Sequence, residues 1–395
     1  MAITIVSRPE QFTPVYNPIR YEISSTNTAQ SNFKYYVEVY VSGVGRVFTS
    51  TYDADPNNSG NAVVDIQRVL ENYVTSDVDS SSATTFIKAS NSYIYYEVRF
   101  GEQYGATGSI VTYSNLTSRR DVYAWNAVLS PLAYVTFDSD LYTMGMGGSF
   151  LTDRPNQLYF NSNSDFSTFH LINDVTGESD KIKINTYNTS GGLITTTTIA
   201  NSYSTLTSYT DRFLYVNTGS ANINAASPGL ISNSVQSYDI TIVDTSGVAT
   251  SETYTYIRIC DWKGLSPINV VFLNRLGGYD NFFFRLSRRK SSNISRDNYQ
   301  QFLSIGYTAQ DRGTTVYNSE ITDKYVLTSD WISEAESIWL QQLIESPNVY
   351  IYESAQLIPM VVKNASYEIK IYGQDRLFNI ELELEYANKR WTQRS

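Results

Sequence analysis

Residues 266–286, SPINVVFLNRLGGYDNFFFRL, decide how this chain is read. INVVFL (268–273) supplies a buried apolar run, and Gly277-Gly278 lets the backbone reverse or take a positive φ without a Cβ penalty. YDNFFFRL (279–286) returns as an aromatic-rich partner, with Asp280 close enough to help fix the turn. Pro267 and Gly264 close the loop ahead of it. The segment is a strand interrupted by a tight glycine turn, and the glycines are a hinge of the fold. A phosphate cradle is a poor reading: neither G-x-G-x-x-G nor G-x-x-x-x-G-K-[ST] occurs here or at GMGG (145–148).

Outward from this hairpin the chain reads as mainly β: several β-sandwich-like domains with a few short helices. In NFKYYVEVYV (32–41), Phe33, Tyr35, Val37, Val39 and Val41 fall on one side, the period-two pattern of a strand. YIYYEVRFG (93–101) and GSIVTYSNL (108–116) repeat it around a turn at Gly105 to Gly108. Between them VVDIQRVLENYV (63–74) puts Ile66, Val69, Leu70 and Tyr73 on one helical face, with Asp65 at its start. Residues 1–122 therefore read as a sandwich with a short inserted helix. Residues 123–255 hold short strand patterns divided by Asn-, Ser- and Gly-rich turns, a second β domain, either consecutive with its neighbours or inserted. Residues 256–395 read as α+β. There DWISEAESIWLQQLIESP (330–347) is a helix capped by Asp330, with Ile332, Ala335, Ile338, Trp339, Leu340 and Leu343 as its apolar stripe. NVYIYE, LIPMVVKN, SYEIKIYG and LFNIELELEYANKR follow as antiparallel strands.

The chain has 395 residues, beyond the size at which one hydrophobic core usually keeps growing, so several domains are expected. Only 17 % of residues are charged, and polarity comes instead from Ser, Thr, Asn and 33 tyrosines, a residue that favours strands and interfaces. A net charge of -10 argues against broad nucleic-acid binding, which needs a clustered positive footprint. The single cysteine, Cys260, reads as core, and a disulfide framework is excluded within one chain. The single histidine, His170, lies on a strand pattern with no catalytic partner nearby in sequence. Asp65, Glu71 and the acids at 53, 77 and 79 read as helix cap and solvated loop, because nothing encloses a carboxylate pair. The N-terminus lacks a basic region followed by a long apolar core, and no window is long and apolar enough for a membrane helix. The expectation is a soluble chain made in a cytoplasm, with no enzymatic activity, cofactor, metal or membrane.

What remains are contact candidates. Phe282, Phe283 and Phe284 cannot all hide in a sheet with one solvated face. Arg285, Arg288, Arg289, Lys290 and Arg296 form a basic cluster in an acidic chain. Glu381, Glu383 and Glu385 make a carboxylate row on one strand face, either solvated or matched to the basic cluster of a neighbouring copy.

Three stretches together carry a family resemblance: NPIRYEISSTNTAQSNFKYYVEVYV with VVDIQRVLENYV, then RICDWKGLSPINVVFLNRLGGYDNFFF, then WLQQLIESPNVYIYESAQLIPMVVKNASYEIK with LFNIELELEYANKR. The chain resembles virion structural proteins of tailed bacteriophages that infect Bacteroidetes, crAss-like phages included. The resemblance implies a non-enzymatic ring, hub or baseplate component of the tail or neck. Its implied partners are copies of itself, six or twelve to a ring, and other tail, neck or portal-proximal proteins, with nucleic acid at most passing through a channel. A rival reading from the residues is a glycan- or receptor-binding sandwich using Trp125, Tyr123 and Tyr134 as a stacking platform.

Overall fold

The computed structural model describes residues 3–81, 83–145, 148–162, 165–259, 265–363 and 379–392, side chains of 113–116 excepted. The fold is mainly β, with several distinct sheets and a few short helices.

The first body contains β1 (Ile3–Ser7), β2 (Phe12–Pro14), β3 (Arg20–Ser25), β4 (Lys34–Val41), β5 (Gly45–Tyr52), β6 (Ala62–Asp65), β8 (Tyr93–Tyr104) and β9 (Val111–Trp125). Two sheets, β1-β3-β6 and β2-β9-β8-β4-β5, enclose one core. Every apolar residue of the alternation from Phe33 to Val41 is buried in it, as expected when one pleat face is dry. After β6, α1 is a single turn, Gln67–Leu70, continued by a tighter turn over Glu71–Tyr73. Ile66 and Leu70 anchor it in the core while Tyr73 stays exposed, so the apolar face is narrower than its sequence spacing suggests. Asp65 Oδ1 accepts the Gln67 amide at 3.1 Å.

The second body contains β10 (Thr143–Met144), β11 (Gln157–Phe160), β12 (Thr168–Asn173), β13 (Lys181–Tyr187), β14 (Leu193–Ala200), β15 (Phe213–Asn217), β16 (Ser237–Val243) and β17 (Tyr254–Arg258). With β7 (Phe86–Lys88) at one edge, its sheets run β10-β12-β15-β7 and β11-β17-β16-β13-β14 over a core that includes Phe150, Phe160, Phe169, Tyr238, Tyr254 and Tyr256. The strand β7 comes from the N-terminal segment yet pairs with β15. Chain order and sheet membership therefore cross. Two short helices, α2 (Pro131–Val135) and α3 (Ser220–Ala226), lie outside the sheets.

The third body holds β18 (Ile268–Leu273), β19 (Tyr279–Phe284), β20 (Ser287–Gln300), β21 (Thr314–Thr328), β22 (Val349–Glu353), β23 (Gln356–Val362), β24 (Glu381–Tyr386) and β25 (Arg390–Trp391). The sheet order is β19-β18-β22-β23-β24-β21-β20, with β25 beside β21. Helix α4 (Glu334–Glu345) covers one face: Trp339, Leu340 and Leu343 join the core that contains Phe272 and Phe282. Its cap is Ser333, whose side chain accepts from the Glu336 amide while Glu336 reaches back to the Ser333 amide. Asp330 is not the cap, because this reciprocal pair satisfies two otherwise orphaned donors at once and Asp330 instead pairs with Arg285. The expected stripe is corrected too: Ala335 and Ile338 face solvent, whereas Ser337 and Gln342 are buried, Gln342 against Arg275 and Asp153. The expected strand SYEIKIYG lies outside the described residues.

The turn of the β18–β19 hairpin is where the bodies meet. Gly277 has φ +86°, and a Cβ there would overlap the Asn126 carbonyl oxygen of the first body. A Cβ on Gly278 would sit 2.6 Å from the Leu151 carbonyl oxygen of the second. The Trp125 indole donates to the Leu276 carbonyl at 3.1 Å, and the Val128 amide to the Arg275 carbonyl at 2.8 Å. Asn274, rather than Asp280, fixes the turn: its Oδ1 accepts from the Leu276 and Gly278 amides and its Nδ2 donates to Leu151. The glycines serve backbone approach, so the hinge reading gains a docking role.

Candidate assembly surface

The phenylalanine triplet is not a contact surface. Phe282, Phe283 and Phe284 are all buried within the chain. β19 is covered on both faces, which a half-solvated sheet would not allow. Phe282 and Phe284 pack in the α4 core, with Phe282 6.2 Å from the Trp339 ring. On the other face Asn281 reaches the second body, accepting from Ser167 Oγ at 2.8 Å. Next in the chain, Arg285 is held by Asp330.

The basic cluster begins a different feature. Every residue of β20 is exposed, and β20 is an edge strand of the sheet. β20 and β21 pair continuously from Ser287↔Thr328 to Gln300↔Thr314, with one bulge at Asp297/Asn298. β24 supports β21 only along 324–328, and β25 only at 320 and 321. Among the described residues no third strand joins beyond Ser319, where the hairpin is a two-stranded ribbon, and residues 301–313 form its tip. At roughly 3.3 Å per residue, β20 alone spans about 46 Å. The tip displays Phe302, Ile305 and Tyr307 at 96 %, 106 % and 62 % exposure. Its backbone is nonetheless ordered by its own bonds: Gln301 to Gly313 at 2.8 Å, Tyr307 to Ser304 at 3.1 Å, and Thr308 to the Asp311 carboxylate at 2.6 Å.

Arg288, Arg289, Lys290 and Arg296 line this arm, and Glu381, Glu383 and Glu385 lie two strands away in the same sheet. Opposite charges meet inside one chain. Arg289 lies 3.5 Å from Glu381, and Lys363 and Lys324 lie 3.0 and 3.7 Å from Glu385, whose carboxyl they hold below its usual range together with their hydrogen bonds. A neighbour's basic cluster is not needed to balance the row. Such exposed pairs contribute little individually, and cations on an edge strand discourage indiscriminate pairing.

A second surface feature lies where the bodies meet. A pocket of about 370 Å³ is lined by Tyr16, Val74, Val128, Leu273, Pro347 and Glu345 among others. Tyr16 and Val128 are exposed at its rim. Just beyond Val128, α2 leaves Leu132 and Val135 each 83 % exposed, and Leu141 follows beside Asp138 and Asp140. Nothing in the sequence pattern marked this patch, because the pocket is lined from five distant segments.

The remaining candidates are structural. His170 is buried between bodies, its Nε2 3.0 Å from the Asp77 carbonyl and its ring stacked on Tyr215. Burial pushes its pKa down to about 4. Since the folded state keeps His170 neutral while the unfolded chain protonates near 6.5, acidification favours unfolding. Between pH 6.5 and 4 this one group should remove about 3 kcal/mol of stability. Urea unfolding across that range should show the loss, and His170→Gln, whatever its baseline cost, should show a correspondingly flatter dependence on pH. Trp125 and Tyr123 are buried in the interbody core and Tyr134 packs against it, so this platform offers no open face to a sugar. Asp77 is occupied by the amides of Asn91 and Ser92. Among the described residues no group of three His, Cys, Asp or Glu could hold a metal ion, and no helix is long and apolar enough to cross a membrane. Cys260 lies outside the described residues.

No protein-family model matches the chain, and no curated protein matches it. Among solved structures, all of the chain aligns with 33 % of the chain of dimeric latent PorU from Porphyromonas gingivalis, at 7 % identity and a TM-score of 0.19. The chain thus spans about a third of that protein's length, and a likeness at this level carries no argument.

Proposed function

We propose that the chain is a non-enzymatic structural subunit of a tailed-phage particle that assembles into an oligomeric ring of the tail or neck. The observation that carries the reading is the β20–β21 arm, a long exposed hairpin ending in an ordered apolar tip. A two-stranded ribbon is marginally stable in water on its own, and exposed apolar groups gathered at its end favour a partner. The phage assignment rests on the sequence resemblance given above. Six or twelve copies remain the expected ring, with neighbouring virion proteins as further partners and no cofactor. The glycan-binding alternative loses its named platform, since Trp125 and Tyr123 are inside the core.

Light scattering coupled to size exclusion, with negative-stain images of the same fractions, tests the reading. The expected result is a closed ring of six or twelve subunits. A monomer at every concentration up to the solubility limit overturns it.

A further inference from the structure

We propose that the tip of the β20–β21 arm of one copy seats in the pocket bordered by Tyr16 and Val128 on the next copy. The proposal rests on the ring reading and identifies its contact. The donor is a cluster: Phe302, Leu303, Ile305 and Tyr307 lie within six residues, and all are exposed. The tip is also pre-shaped by its internal hydrogen bonds, which lowers the ordering cost of binding.

The acceptor matches in size and character. An apolar cavity of about 150 Å³ accommodates a benzene ring, so a 370 Å³ pocket has room for two side chains of the tip. Val74, Val128, Leu273 and Pro347 give apolar walls, and Leu132 and Val135 of α2, a few residues after Val128 in the chain, are exposed. Charge favours a second copy as the occupant. β20 carries four cations and one aspartate, and β21 adds Glu320, Asp323 and Lys324, so the arm is net positive in a chain of net charge -10. Glu345 lines the pocket, the Arg275 charge there is matched by Asp153, and Asp138 and Asp140 lie beside Leu141, so the acceptor face carries an excess of carboxylates. Donor and acceptor are different surfaces, so the contact is heterologous, the kind that repeats around a ring and closes by rotation.

Three changes test it on the full chain. Phe302→Asp with Ile305→Asp alters only exposed tip positions, and Val128→Glu places a charge at the pocket rim. Each should leave thermal unfolding of the subunit unchanged and raise the concentration at which rings half-dissociate by about a hundredfold or more. In a Cys260→Ser background, subunits carrying Ile305→Cys mixed with subunits carrying Val128→Cys should form an intersubunit disulfide on oxidation, and neither variant alone should. If the wild-type ring forms but Val128→Glu assembles normally and the mixed cysteines do not join, the docking site is overturned and the ring reading stands. If the wild-type chain is monomeric throughout, both fall.

Discussion

Asp280→Ala should destabilise the chain by about 3–5 kcal/mol. Asp280 and Arg154 are 1 % and 3 % exposed. The carboxylate accepts from Trp339 Nε1 at 2.8 Å and from Thr152 Oγ1 at 2.8 Å, tying α4 to the second body. Arg154 Nε stands 3.8 Å from Asp280 Oδ1, beyond hydrogen-bond reach, so their attraction is ionic. The guanidinium is otherwise held by the Thr168 carbonyl at 3.0 Å, by Asn281, and by the Phe169 ring face at 3.6 Å. Burial pushes the Asp280 carboxyl up, and the Arg154 charge and the hydrogen bonds pull it back. Removing the acid leaves a buried cation without its paired carboxylate and an indole N–H without an acceptor. Asp280→Asn keeps an acceptor and should fall between. In Asp280→Ala with Arg154→Met the orphaned charge is gone, and much of the loss should return. Urea unfolding of the three variants measures this, and a loss below about 1 kcal/mol in Asp280→Ala would refute it.

Gly277→Ala should cost about 3 kcal/mol, from two separable sources. A left-handed backbone conformation costs a non-glycine residue roughly 1–2 kcal/mol. Forcing a methyl group against packed neighbours adds about 1–3 kcal/mol, and here the obstacle is the Asn126 backbone carbonyl, which has no rotamer to escape into. Gly229 and Gly247 supply the control. Their φ values, +79° and +84°, are nearly the same, but nothing lies within 4 Å of a Cβ at either position. Gly229→Ala and Gly247→Ala should therefore show only the conformational part. Equal losses at all three sites would mean that the first body yields around the turn.

What could be read from the chain was whatever depends on near neighbours. The alternation from Phe33 to Val41 names its own buried face, because a strand's period needs no distant information. The β18–β19 hairpin is similarly local: apolar run, glycines, aromatic run. The helix before Pro347 was visible, but its start slipped by three residues because Ser333 and Glu336 form a better cap than Asp330. Burial of the phenylalanines was not legible. It depends on α4 covering one face of β19 and the second body the other, and those partners lie far away in sequence. The arm was visible only as a basic cluster, since its isolation is a fact of topology: among the described residues no strand but β20 pairs with β21 beyond Ser319. The pocket at Tyr16 and Val128 had no sequence signal, being assembled from residues 16, 74, 128, 273 and 347.

The Gly277 turn also imposes a timetable on the growing chain. Trp125 waits for a carbonyl 151 residues later, and Val128 for one on Arg275. At a synthesis rate of about 5–20 residues per second, the first body has roughly 8–30 s in the ribosome's company before its partner turn exists. During that interval the indole N–H of Trp125 lacks its Leu276 acceptor and the part of the apolar surface that Leu276 covers is open. Nascent copies on neighbouring ribosomes are thus exposed to one another at a face that, in the finished subunit, is sealed by a backbone turn.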